Sequence, residues 1–325
     1  MMEDYTRRFS KLRTDTSPSR WPVTTRHRAP HKPLLLLAVM DLFAEGSVTA
    51  NLIELTPDLG ELFTLYWARV MPPDQRGNLA LPFFHLKSDR FWHLVPRPGH
   101  EAFLDATHQI RSINQLRDTV LGARLDDELY ELFCSDSSRD VLRTVLIESY
   151  FAPEAQSALI EQGFINVESF RYSQELLEQA RRRQAKERPL DEDTYQPVVR
   201  DQGFRRAMVT AYDHRCALCG IRMLTPDGHT VVDAAHIIPW RISHNDDPGN
   251  GMALCRLCHW TFDEGLASVS SRYLVIISPQ LTTGQNFPGH LVTLGGRGII
   301  GPNEESLWPD LDALSWHRRN TFRRR

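Results

Sequence analysis

The chain reads as an α+β protein. A mostly helical N-terminal domain with one small β-hairpin precedes a smaller C-terminal domain of short strands and helices pinned by metal. Three observations predict this. Helical patterning with proline starts and glycine stops dominates as far as residue 187, a pair of short apolar runs interrupts it, and two Cys-x-x-Cys pairs stand in the last third. A length of 325 residues predicts two domains, each able to bury a core. With 41% hydrophobic and 24% charged residues, the composition excludes wholesale disorder, a collagen-like repeat and a disulfide mini-protein.

In chain order, Pro30-His31-Lys32-Pro33 leads into Leu34–Phe43, and Gly46 ends the run, which predicts a buried helix. Thr56-Pro57-Asp58 opens a second helix to Val70, with Leu59, Leu62, Leu65 and Tyr66 on one face, before Pro72, Pro73 and Gly77 break it. Leu81–Leu86 and Phe91–Val95, separated by Lys87-Ser88-Asp89-Arg90, predict a β-hairpin. Residues 100–162 predict helix throughout, with turns near Ser112, Gly122, Ser135 and Pro153, and Cys134 as a core residue. Tyr172–Glu187 predicts a charged helix containing Arg181-Arg182-Arg183, and Arg188-Pro189-Leu190-Asp191-Glu192-Asp193 a linker, with the boundary at 188–195. Beyond it come a helix over Asp201–Tyr212, a cysteine pair, the turn Pro226-Asp227-Gly228 and an apolar strand Thr230–Ile238. A polar loop Ser243–Gly251, a second cysteine pair on a short helix, and strands at Leu266–Val269 and Tyr273–Ile277 follow. Trp316–Arg325 predicts a flexible basic arm. The longest apolar run, Leu34–Met40, falls far short of the roughly 20 residues that span a bilayer. The start lacks a signal-peptide pattern, so the expectation is a cytoplasmic protein with no membrane partner.

The net charge of −3 hides a division: residues 1–100 carry 13 basic and 10 acidic groups, 101–200 carry 12 and 19, and 201–325 carry 13 and 12. All 13 cations of the last block are arginines, which suit bidentate phosphate contact, although genome composition explains arginine usage equally well. The ends therefore permit a polyanionic partner without requiring one.

Cys216-Ala-Leu-Cys219 and Cys255-Arg-Leu-Cys258 are separated by 35 residues. Two intervening residues let paired thiolates bind one tetrahedral ion, so the four point to structural Zn²⁺; a redox pair or simply buried thiols are the alternatives. Gly220 suits the tight turn of such a knuckle. Four sulfurs close the shell, so any chemistry must come from elsewhere.

Around the pairs stand Asp233-Ala-Ala-His236-Ile-Ile-Pro239, Asp246-Asp247-Pro-Gly-Asn250-Gly251 and Cys258-His259-Trp-Thr-Phe-Asp263. His236 alone would read as a core histidine of a strand. Asn250 lies 14 residues after it, His259 a further 9, and Asp263 one helical turn beyond His259. In this order the motifs over about 201–270 resemble an HNH endonuclease, the ββα-metal fold with flanking zinc cysteines. That resemblance implies that His236 is the general base activating water, that Asn250 orients it, and that His259 ligates a catalytic Mg²⁺ or Mn²⁺. Many members carry a metal ligand directly before the base, where this chain has Ala235. The second ligand is expected to be Asp263, with Asp233 kept as a candidate although an ideal strand turns it away. Asp246 and Asp247 read as a solvated loop. The H-x-E pattern of zinc deaminases is lacking at both histidines.

Arg26–Leu37 together with Leu81-Pro82-Phe-Phe-His85 through His93 resembles the sulfur-binding domain of phosphorothioate-dependent restriction enzymes, over roughly residues 1–150. The resemblance implies an apolar pocket for the modified phosphate, lined by Pro82 and His85 with Arg28, His31 and Lys32 near it. Leu81 stands where the family often has an aromatic residue. Phe83, Phe91 and Trp92 read more readily as core than as ligand wall. The expected organisation is a DNA-reading domain over 1–165, a helical segment and linker over 166–195, and an HNH domain with basic tail over 196–325. The expected function is a metal-dependent, modification-dependent restriction endonuclease acting on double-stranded DNA, in which one active site per chain suggests a homodimer or successive nicks. The alternatives are a non-catalytic zinc-containing DNA-binding protein on the same scaffold, and a toxin or homing-type nuclease.

Overall fold

The computed structural model describes residues 1–102, 110, 112–182, 195–225, 228–283 and 286–324. The linker expected at 188–193, residues 183–187 of the charged helix and the turn residues at 226–227 lie outside the described residues. The chain divides into two compact units, Met1–Val167 with Thr225–His229, and Glu168–Leu224 with Thr230–Arg325. Among the described residues no helix is long and apolar enough to cross a membrane.

The first unit is built on α2 (His31–Ala44), after the short α1 (Met2–Phe9). Every residue of α2 from Lys32 to Phe43 is buried, so this helix is covered on all sides and forms the axis of the core. Against it pack α3 (Pro57–Val70), capped by the Thr56 hydroxyl accepting from Leu59 N at 3.2 Å, α4 (Ala80–His85) and α7 (Asp136–Tyr150). Two strands, β1 (Trp92–Pro96) and β2 (Val120–Leu125), pair antiparallel, with α5 (Ile113–Thr119) leading into β2 and α6 (Asp127–Cys134) following it. The long α8 (Pro153–Arg182) completes the order, and the division between the units falls inside it.

Three expectations are overturned here. Leu81–Leu86 is not the first strand of a hairpin: Ala80–His85 is helical and Leu86–Asp89 a 3-10 turn. Ala80, Pro82, Phe83 and Phe84 are all buried, a grouping with no period of two, and Pro82 costs nothing in a first turn whose N–H groups are unpaired anyway. The true partner of β1 is Val120–Leu125, inside the stretch expected to be helical throughout. Gly122 marks it, because a Cβ there would lie 2.4 Å from the Ile53 carbonyl oxygen. Cys134 is exposed rather than part of the core.

The second unit carries α9 (Pro197–Ala211), β3 (Val232–His236), α10 (Trp240–Ser243), β4 (Gly251–Cys255) and α11 (Arg256–Asp263). The strands β5 (Ala267–Val269) and β6 (Val275–Ile277) form a further antiparallel pair, and α12 (Leu311–Asn320) packs on β5. β3 pairs antiparallel with β4 from Val232 opposite Cys255 to His236 opposite Gly251, and α11 packs on both, making a ββα unit. β4 replaces the end of the expected polar loop. α9 lies so close that a Cβ on Gly251 would meet Met208 Sδ at 2.8 Å and Phe204 Cζ at 2.9 Å. The expected basic arm is folded: Trp316–Asn320 lies in α12, His317 is buried, and Arg323 N bonds Gly265 O at 3.0 Å.

A polar network crosses the first core. Asp41, fully buried on α2, accepts from Arg143 at 2.6 Å and from Asn166 at 2.7 Å; Arg143 also donates to the Tyr66 hydroxyl at 2.8 Å. Asp41→Ala strands a largely buried guanidinium, and a loss of about 3–5 kcal/mol in unfolding free energy is expected by urea titration.

Candidate functional site

The four cysteine sulfurs all lie within 4.8 Å of one another, and Cys219 Sγ stands 3.7 Å from Cys255 Sγ. A tetrahedron with metal–sulfur bonds of about 2.3 Å has edges of about 3.8 Å, so the set is arranged to bind a metal ion and fits Zn²⁺. Cys216 and Cys219 bracket a turn closed by the bond from Gly220 N to Cys216 O at 2.9 Å, and Gly220, just after the pair, has φ +76°, in the left-handed region. Cys255 ends β4 and Cys258 lies in the first turn of α11.

Beside this knot a cleft of about 730 Å³ is lined by His236, Trp240, Arg241, His259 and Asp263, with Trp316 and Asn320 of α12 on its wall. β3 delivers His236, whose ring stacks on Phe204 of α9 with centroids 4.0 Å apart and planes 11° apart. α11 delivers His259 and Asp263, and Nε2 of the histidine lies 3.4 Å from a carboxylate oxygen. Burial raises the Asp263 carboxyl above its ordinary range, opposed by His259. Asn250 reaches backbone rather than the His236 ring: its Oδ1 accepts from Ile238 N at 2.9 Å, and its Nδ2 donates to Ile238 O at 3.0 Å and Asn245 O at 2.9 Å. The ring is held instead by Asp246, whose Oδ1 lies 2.7 Å from His236 Nε2. Asp246 is 2% exposed, which overturns its reading as a solvated loop residue. Asp233 is not brought to the cleft. The β3–β4 register is regular, so period-two alternation turns it away from His236, and it faces Arg205 at 3.2 Å.

In the first unit a second cavity, of about 560 Å³, gathers His31 and Lys32 from the start of α2 and Pro82 and His85 from α4. Trp21 and Leu81 extend its apolar lining, while Arg13, Arg20 and Arg76 surround it. His31 sits between two indoles, 5.3 Å from Trp21 and 4.7 Å from Trp67, and burial lowers it to about 4, so the ring is neutral. Burial and the Lys32 and Lys87 charges lower His85 as well. Lys32 is spent internally, on Asp89 at 2.6 Å and the Ser88 hydroxyl at 3.1 Å. Arg28 is not part of the lining; its guanidinium lies 6.0 Å from the Tyr150 ring.

Residues 2–164, half of the chain, match the family model of the ScoMcrA-like DNA sulfur-binding domain. The chain belongs to this family. Residues 216–270 match the HNH endonuclease family model, so this sulfur-binding-domain protein also carries an HNH endonuclease domain, and its two domains indicate DNA as the partner. Among solved structures it is similar to a modification-dependent TagI restriction endonuclease, 23% identical over 41% of this chain and 43% of that one, with a TM-score of 0.29. No curated protein matches the chain.

Within the sulfur-binding domain, sequence reasoning missed Arg13, Arg20, Trp21 and Arg76, because they come from irregular segments with no motif spacing. In the HNH region it missed Asp246 and α12. The pair Asp246-Asp247 carried a signal only in its nearness to Asn250.

Two outcomes follow from this geometry. The purified chain is expected to hold one zinc per molecule by atomic emission, and Cys258→Ser to lose both the metal and on the order of 10 kcal/mol of folding energy in the second unit. His317 stacks on Phe262 at 3.7 Å, bonds Ser268 and the Phe262 carbonyl, and is lowered to about 4 by burial. Between pH 6.5 and about 4 only the unfolded ring takes a proton, so stability falls by roughly 3 kcal/mol as pH drops through that window. His317→Gln should flatten the slope of unfolding free energy against pH over that window.

Proposed function

We propose that the protein is a modification-dependent restriction endonuclease: the first domain, about residues 1–165, reads a phosphorothioate linkage, and the HNH domain, about 196–325, cuts the DNA. The observation that carries the reading is one chain holding both a cavity lined by Trp21, His31, Leu81, Pro82 and His85 and rimmed by arginines, and a His236–His259–Asp263 cleft. Pro82, Leu81, Trp21 and the uncharged His31, with His85 lowered by burial beside them, suit a weakly hydrated sulfur. An ordinary phosphate oxygen would lose its water there without a full set of replacement bonds, at about 1–3 kcal/mol. Arg13 and Arg76, which have no carboxylate partner among the described residues, suit the flanking phosphates.

At the cleft, His236 serves as general base toward water, and Asn250 holds the backbone that follows it, at Ile238 and Asn245. His259 and Asp263, an imidazole nitrogen and a carboxylate one helical turn apart, fit a Mg²⁺ or Mn²⁺ ion that takes its other ligands from phosphate and water. Such an ion would stabilise charge on the phosphate and on the leaving oxygen. Arg241 and the indoles of Trp240 and Trp316 are placed to touch backbone and bases. One cleft per chain implies that a double-strand cut needs two chains or two successive nicks.

Full-length protein is to be incubated with phosphorothioate, methylated and unmodified duplexes, with and without magnesium. Binding to the phosphorothioate duplex should be at least about tenfold tighter than to the others, with Arg76→Ala lowering the salt slope by about one. His236→Ala should slow single-turnover cleavage roughly 100- to 10,000-fold with binding unchanged. Equal handling of all duplexes would remove the reader assignment. A wild-type protein that binds but never cuts would leave the non-catalytic scaffold.

A further inference from the structure

We propose that Asp246 is a positioning residue that sets the tautomer of His236, placing the ring proton on Nε2 and leaving Nδ1 as the nitrogen that accepts a proton from water; this rests on His236 acting as the base. A carboxylate only accepts hydrogen bonds, so the 2.7 Å contact from Asp246 Oδ1 requires the proton to sit on Nε2. The imidazole lone pair is thereby assigned to the other edge of the ring. His236 lines the cleft and Asp246 does not, so the carboxylate works from behind the ring and has no route to substrate or metal.

The carboxylate is itself held on both oxygens. Its Oδ2 accepts from the Tyr172 hydroxyl at 3.1 Å, and Arg200 Nε stands 3.6 Å away. That distance is long for a bond, and Arg200 Nε, buried, makes none elsewhere, so it acts on Asp246 as a charge. The guanidinium is kept in place by the Trp240 ring, 3.3 Å beneath it, and by Asp201 at 2.8 Å. A carboxylate 2% exposed is tolerated only with such compensation. Tyr172 lies on α8 and Arg200 on α9, both outside the 216–270 stretch that matches the HNH model.

Asn250 completes the arrangement by acting on the loop rather than on the ring. Its amide bridges Ile238, two residues after the base, and Asn245, one residue before the acid. Base and acid thus keep their spacing across a ten-residue excursion. Phe204 fixes the plane of the ring, and Asp246 fixes its rotation within that plane. A ring that cannot flip presents one nitrogen only.

The test is made on full-length protein labelled with ¹⁵N-histidine, with His236→Gln identifying the signal. Long-range ¹⁵N–¹H correlation at neutral pH is expected to show His236 protonated on Nε2 and bare on Nδ1. Asp246→Asn keeps the shape but can donate its amide to Nε2, moving the proton to Nδ1. Single-turnover cleavage should then fall roughly 100- to 10,000-fold, with the dissociation constant for the same duplex within about twofold of wild type. Tyr172→Phe, which keeps the ring and loses the hydroxyl, should keep the Nε2–H tautomer and cut about fivefold more slowly. The proposal is overturned by an Nδ1–H signal in the wild type, by Asp246→Asn cutting at the wild-type rate, or by a loss of rate that merely tracks lost fold and lost DNA affinity. Should Asp246→Asn fail to fold, the wild-type spectrum and Tyr172→Phe still decide. Undiminished cleavage by His236→Ala would instead remove the base assignment and leave the tautomer measurement standing.

Discussion

The antiparallel pairing of β3 with β4 fixes the spacing of everything in the HNH region. Its first rung sets Val232 opposite Cys255 and its last sets His236 opposite Gly251, so one short ladder has the metal-binding cysteines at one end and the imidazole at the other. Beyond Cys255 the chain turns at once into α11, which carries Cys258 and, next to it, His259. A metal held by the four sulfurs anchors the start of the helix that presents His259 and Asp263. Before Gly251 stands Asn250, which ties down the backbone after His236. Loss of a metal held there would therefore loosen a helix and a strand together.

The first unit solves a different problem, that of keeping a pocket apolar beside several charged side chains. Lys32 is at the pocket, yet Asp89 absorbs its charge, and burial keeps His31 uncharged. Cations are left to the rim, where Arg20 and Arg76 come from irregular segments. The division is what discrimination between a soft, poorly hydrated group and an ordinary phosphate requires: apolar contact inside, long-range attraction outside. The buried Asp41–Arg143–Asn166 network ties α2, α7 and α8 of this unit together.

Legibility in the sequence followed the range of the physics. Features written in local spacing were readable: α2 from its proline and glycine punctuation, α3 from its capping threonine, and the metal knot from two Cys-x-x-Cys pairs. The grouping of His236 with His259 and Asp263 in one cleft was also foreseeable, because the motif order implied it. Features settled by distant partners were not. Ala80–His85 carries strand-like residues but is driven into helix by burial on several sides, while β2 owes its existence to β1 and to the close approach at Gly122. Asp246 looked like an exposed turn because its burial comes from Tyr172 and Arg200, 74 and 46 positions away. The C-terminal segment looked like a loose cationic arm because the docking site for His317, between Phe262 and Ser268, is invisible in its own composition.

The absence of a side chain at position 251 has a consequence that reaches beyond backbone freedom. Even one methyl there would press on Met208 and Phe204, and Phe204 is the surface on which the His236 imidazole rests. The α-carbon of Gly251 thus works as a gauge block, setting the clearance between helix and ladder and, through one aromatic ring, the tilt of the His236 imidazole.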